Sequence, residues 1–110
     1  MTDNNRFTEF LSSNDTMRIY KDGNLVFSSK KNMLLPLVEY INTCADGNLD
    51  VTLYDKIIGN AAALLAIKAH CSEVHSPIGS EAAIKTMDRF GVKYELLGVV
   101  STVQQPNGNQ

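Results

Sequence analysis

Leu53-Tyr-Asp-Lys-Ile-Ile-Gly-Asn-Ala-Ala-Ala-Leu-Leu-Ala-Ile67 decides how this chain is read. It opens as the end of an apolar strand, breaks at two charged residues, Asp55 and Lys56, and continues as a helix of small residues. A strand that turns directly into a helix leaves backbone N–H groups and polar side chains at one edge of a sheet, where α/β folds hold their ligands. The helix expected over residues 58–70 carries Gly59, Ala62, Ala63, Ala66 and Ala69 at three- and four-residue spacing. Such a stripe lets the helix axis approach a neighbouring layer closely.

Outward from this stretch the pattern continues. Leu49, Val51 and Leu53 alternate with Asp50 and Thr52, which is the period of a strand. Downstream, Glu73 to Ile78 reads as a short strand, and Ser80 as the N-cap of the next helix, with Glu81 favourably placed in its first turn. Ala83, Ile84, Met87 and Phe90 form that helix's buried face, Gly91 suits the position after its end, and residues 92–100 form a last strand. Upstream, Phe7, Phe10 and Leu11 mark one face of a short helix over residues 6–13. Residues 17–20 and 25–27 flank Lys21-Asp-Gly-Asn24, a strong hairpin signal. A polar loop over residues 28–32 precedes a helix through Leu34, Leu37 and Ile41, with Pro36 in its first turn and an end before Asp46-Gly47. The order α-β-β-α-β-α-β-α-β predicts an α/β fold: a three-layer α-β-α sandwich around a mixed, mostly parallel five-stranded sheet. Residues 1–103 form one domain in this reading, and 104–110 a flexible tail.

Composition narrows the function classes. The 110 residues are 44% apolar and 20% charged, ordinary for a globular domain. A net charge of -2 gives no general field for nucleic acid or anionic lipid. Tyr20, Tyr40, Tyr54 and Tyr94 are dispersed with no basic stripe between them, so no nucleic-acid partner is expected. The longest apolar run, Ile57 to Ile67, falls far short of a ~20-residue span, so no membrane partner is expected either. The N-terminus lacks a signal pattern, and two cysteines, Cys44 and Cys71, suit a reducing compartment. The expectation is a cytoplasmic protein.

Three segments carry a family likeness: Lys21-Asp-Gly-Asn-Leu-Val-Phe-Ser-Ser-Lys30, Tyr54-Asp-Lys-Ile-Ile-Gly-Asn-Ala-Ala-Ala-Leu-Leu65, and Ser80-Glu-Ala-Ala-Ile84 with Phe90-Gly-Val92. Together they resemble the bacterial domain-of-unknown-function family 1893 over about residues 5–98. The resemblance implies a cytidine-deaminase-like fold and no established activity. A zinc deaminase needs three His or Cys ligands and a Glu, placed at two consecutive helix starts. Residues 55–59 hold no thiol or imidazole, and Ser76-Pro-Ile-Gly-Ser-Glu81 puts Ile78 and Glu81 where cysteines are required. Neither a metal nor another cofactor is therefore expected.

The leading candidate site is built on Asp55, Lys56, Gly59 and Asn60, with Ser80 and Glu81 at its edge. Lys56 and backbone N–H groups would hold a small anionic or nucleoside-like ligand, and Asp55 would orient a hydroxyl or amine. In the competing reading Asp55 caps the helix and Lys56 is solvated. The role expected is sensing or regulation; an enzyme would use Asp55 as proton acceptor and Lys56 as electrostatic stabiliser. Ser28, Ser29, Lys30 and Lys31 could line the same rim or form a solvated loop. Cys44 with His70 or His75 lacks any local signature of a nucleophile–base pair, and His75 reads as an ordinary strand residue. The alternative from another class is a homodimeric interaction module with no small-molecule site.

Overall fold

The computed structural model describes residues 3–44 and 47–102; the expected tail lies outside them. Chain reversal begins at Asp22 and Gly23, whose φ angles of 51° and 84° are the paired left-handed conformations of a two-residue hairpin turn. They join β1 (Met17–Lys21) to β2 (Asn24–Ser29), with Lys21 opposite Asn24. Before the hairpin stands α1 (Asp3–Ser12); after it come α2 (Leu35–Thr43), β3 (Val51–Asp55), α3 (Asn60–Lys68), β4 (Cys71–Ser80), α4 (Glu81–Arg89) and β5 (Lys93–Val100). Every expected element is present in the expected order. α1 starts three residues earlier than expected, and at both ends α3 is shorter and β4 longer than expected. The helix stops at Lys68 because His70 turns left-handed, with φ 66°, and the chain re-enters the sheet at Cys71.

The sheet order is β2-β1-β3-β4-β5. β1 pairs antiparallel with both β2 and β3, whereas β3–β4 and β4–β5 are parallel. The sheet is thus evenly mixed, and the expected predominance of parallel pairing is corrected. The reason is that the hairpin strand β1, not β2, adjoins β3, which adds a second antiparallel ladder.

Alternation along the strands sorts the residues between two faces. Met17, Ile19, Val51, Leu53 and Val74 face α2, α3 and α4 and pack with Leu37, Tyr40, Ala63, Ala66 and Met87 in the main core. Tyr20 and Tyr54 face the other way and pack with Phe7 and Phe10 of α1 in a second, aromatic cluster. Among the described residues no helix is long and apolar enough to cross a membrane.

The small-residue stripe predicted in α3 is the buried face of that helix: Ala62, Ala63 and Ala66 point inward. Its first residue is tied to α4 by the Thr86 hydroxyl, which donates to Asn60 Oδ1 at 2.5 Å. A larger side chain on this stripe must push the helix off the sheet. Ala66→Leu, at a fully buried position, is expected to cost about 1–3 kcal/mol through overpacking. Leu64→Ala, at a position 49% exposed on the same helix, should change stability by less than about 0.5 kcal/mol. Denaturant unfolding of the two variants beside the parent checks both.

Candidate functional site

β3 sends Leu53 and Asp55 to the face covered by α2–α4, and Tyr54 to the face covered by α1. Asp55 is buried, and its Oδ1 accepts from the backbone N–H of Ile57 at 3.4 Å. Lys56 leaves the sheet on the other side. Its backbone N–H donates to the carbonyl of Thr16, and its ammonium donates to the Ser13 carbonyl at 2.9 Å and lies 4.8 Å from the centre of the Phe10 ring. The ammonium therefore secures the C-terminal end of α1 and does not join the Asp55 carboxyl. Lys56 is half-buried and anchored here, so in the described fold its ammonium is turned toward α1 and away from the Asp55 carboxyl.

The remaining candidates do converge. Ile58, fully buried, extends the sheet by one bridge to Gly79: its N–H donates to the Ile78 carbonyl and its carbonyl accepts from the Ser80 N–H. This ties the start of α3 to the start of α4. Gly59 is the N-cap of α3 and offers no side chain to its first-turn amides. Ser80, buried, caps α4 through Oγ, which accepts from the Ala83 N–H at 3.0 Å. Asn60 is engaged with Thr86, and Glu81 is exposed in the first turn of α4. Gly79 is closely held: a Cβ there would come within 2.6 Å of Leu96 and 3.1 Å of Ile58. Asp55, Gly59, Asn60 and Ser80 thus share the carboxyl ends of β3 and β4, with Glu81 at the rim.

Electrostatically, Asp55 dominates this region. Desolvation by burial pushes its carboxyl from the usual 3.8 up to about 7, against the smaller opposing effect of the Ile57 and Lys56 backbone hydrogen bonds. A carboxyl in that range can donate or accept a hydrogen bond near neutral pH. The donor set does not fit a zinc deaminase. The two helix starts offer oxygen and amide groups where imidazole and thiolate ligands are required. Cys71 lies at the opposite end of β4, its thiol pushed by burial up to about 12. Among the described residues no cluster of His, Cys, Asp or Glu is arranged to hold a metal.

Ser28, Ser29, Lys30 and Lys31 belong elsewhere. They line a separate cavity of about 480 Å³ together with Asp15 and Glu39. There Lys30 pairs with Asp15 at 3.1 Å and Lys31 with Glu39 at 2.6 Å. His70 and Cys71 line another cavity, of about 400 Å³, at the start of β4. His75 is neither paired with a cysteine nor an ordinary strand residue. It is buried, stacked on Tyr54 with ring centres 4.7 Å apart, and its two ring nitrogens meet Glu73 and Glu95 at 2.7 and 2.8 Å. The signal available in the sequence was Glu73-x-His75, two acid–base residues on one face of a strand, followed by Glu95 in the next.

The Asp55 shift fixes a pH dependence. Between about 4 and 7 the unfolded chain releases this proton while the folded chain keeps it, so stability falls as pH rises and levels off above 7. The full effect is on the order of 4 kcal/mol. Asp55→Asn should remove that slope: equal to the parent near pH 4, more stable than it at pH 8. Urea unfolding at a series of pH values gives the comparison.

Comparison with known proteins places this arrangement. The profile of the family described as TM1506, domain of unknown function (DUF1893), matches residues 6–109. Among solved structures, a DUF1893 family protein (TM1506) from Thermotoga maritima, determined at 2.70 Å, superposes with a TM-score of 0.83 and 25% identity. The match covers 97% of this chain and 71% of that one. Among curated proteins none matches. On the extent of the profile match, the chain belongs to the DUF1893 family.

Proposed function

We infer that this DUF1893 domain is a cytidine-deaminase-like scaffold without the zinc set, and that it binds a small nucleoside-like ligand at the carboxyl ends of β3 and β4. The observation that carries the reading is the convergence there of the buried Asp55 carboxyl, the side-chain-free N-cap Gly59 and the Ser80 end of β4, joined through the Ile58–Gly79 bridge. Parallel strands that end in helix starts gather ligand-binding groups outside their carboxyl ends. Asp55 would supply a two-way hydrogen-bonding group and the first-turn amides of α3 further donors. Between the two ligand classes expected from the sequence, the nucleoside-like one is favoured. With the Lys56 ammonium held by Ser13 and Phe10, an anionic ligand would meet a buried carboxyl and no cation. Binding without turnover, as a sensor or regulator, suits a site in which Asp55 is the buried ionisable group and Glu81 stands exposed at the rim. Free cysteines at 44 and 71 are consistent with work in a reducing compartment.

A second reading, a homodimer, draws on β5. This outer strand pairs on one side with β4 and carries Leu97 and Val99 at 62% and 54% exposure. A long apolar edge strand is a ready surface for pairing with another chain.

Thermal melting in the presence of nucleosides and nucleobases separates the two. Under the ligand reading at least one compound stabilises the parent, by ~2.7 kcal/mol at a hundredfold excess over its Kd, and Asp55→Asn abolishes the effect. Under the dimer reading no compound moves the transition, and Leu97→Lys lowers the sedimentation coefficient. A ligand shift that survives Asp55→Asn would remove Asp55 from the site.

A further inference from the structure

His75 is 3% exposed, yet each of its ring nitrogens faces a carboxylate. Nδ1 lies 2.8 Å from Glu95 Oε1, and Nε2 lies 2.7 Å from Glu73 Oε2. A carboxylate only accepts, so each contact is a hydrogen bond only when the nitrogen facing it carries a proton. A neutral imidazole has one such proton and an imidazolium has two. The arrangement fits the cation: a buried positive ring between two carboxylates that are one-third to one-half exposed.

The ring is also part of the surface on which α1 rests. It stacks on Tyr54, with 12° between planes, and the Phe7 ring meets it edge-on at 5.6 Å. Other charged or titratable groups among the described residues of this face, besides Lys30 on Asp15, are the following. β5 contributes Lys93, the exposed register partner of Glu73. β1 contributes Tyr20, under the Arg6 guanidinium of α1 at 4.8 Å, and Arg18, engaged by Asp15 and Glu9. Lys56 is held by the Ser13 carbonyl.

We propose that Glu73, His75 and Glu95 form a proton-operated latch that holds α1 against the sheet. When the ring gives its proton to solvent, one carboxylate is left against a nitrogen lone pair. Rotation of the ring or withdrawal of that carboxylate relieves the repulsion, and either movement disturbs the rings under Phe7. Release of α1 then frees the Lys56 ammonium from Ser13 and Phe10 and uncovers Tyr20 and Tyr54. The sign follows directly. The latch is closed while both ring nitrogens carry a proton, and it opens when rising pH removes one of them.

Hydrogen exchange of the α1 amides in the full chain, corrected for the intrinsic rate and compared at pH 6 and pH 8.5, reads the latch locally. Because Asp55 titrates in an overlapping range, the comparison is repeated in Asp55→Asn. Opening of α1 should become roughly tenfold more frequent at the higher pH, as expected for loss of one charge-assisted hydrogen bond. The response should be flat in His75→Gln. Nitrogen NMR of the histidine ring should show both nitrogens protonated at pH 6. A ring with a single protonated nitrogen at pH 6, or α1 exchange that ignores pH in the parent, overturns the proposal. If His75→Gln does not fold, Glu95→Gln replaces it: the latch requires a weaker pH response in that variant, and an unchanged response counts against it.

Discussion

The strict alternation of β3 is the constraint on which the rest of the structure depends. Two consecutive charged residues at the end of a strand cannot both enter one cavity, because neighbouring side chains leave a strand on opposite sides. Asp55 follows Leu53 into the layer of α2–α4, and Lys56 is delivered to α1. The pair that looked like one site in the sequence is divided by the thickness of the sheet. Each member then acquires its properties from the layer it enters. Burial desolvates the carboxyl, and a carbonyl and the face of a ring satisfy the ammonium.

The two layers differ in kind. On one face three helices pack alanines and aliphatic side chains against the strands, with the Thr86–Asn60 bond joining the middle of α4 to the start of α3. On the other a single helix is attached through rings and charges. Phe7 and Phe10 rest on Tyr54, and Arg18 bonds Asp15 at 2.7 Å beneath the same helix. The Arg18 guanidinium holds the Asp15 carboxyl below the ordinary carboxylate range, so this contact is kept down to acidic pH. Burial of aliphatic area is insensitive to protonation, whereas a ring-and-charge interface is not. The α1 layer therefore responds to solution conditions through its charged contacts, and the opposite layer through Asp55.

The element order was legible because each signal was local. Asp22-Gly23 specifies its turn by backbone conformation alone, and the alanine stripe of α3 marks a buried face whatever lies opposite. Sheet composition was less legible. Nothing in residues 17–29 states which hairpin strand will border β3, and that choice doubled the antiparallel pairing. In the candidate site, Gly59, Asn60 and Ser80 were legible as helix-start residues, and they lie at the neighbouring starts of α3 and α4. The direction of Lys56 was not legible because strand alternation was not carried past Asp55. Glu95 escaped notice because its partnership with His75 depends on the register between β4 and β5, across 20 residues of sequence.

Burying an ionisable group on each face of one sheet has a joint consequence. Asp55 binds a proton on folding that the unfolded chain would release, and the hydrogen bonds of His75 require a proton that the neutral ring lacks. The Asp55 proton favours the folded chain at lower pH, and under the proposed latch the His75 proton acts on the seating of α1. Their structural reach differs. Asp55 lies in the layer that carries the main core, and its protonation bears on the whole cooperative unit. His75 supports the ring surface on which α1 rests, so under the proposed latch its proton bears on one helix and not on the main core. The groups that hold this cover, rings and charges, are distinct from the alanines and aliphatic side chains that hold the core on the other face.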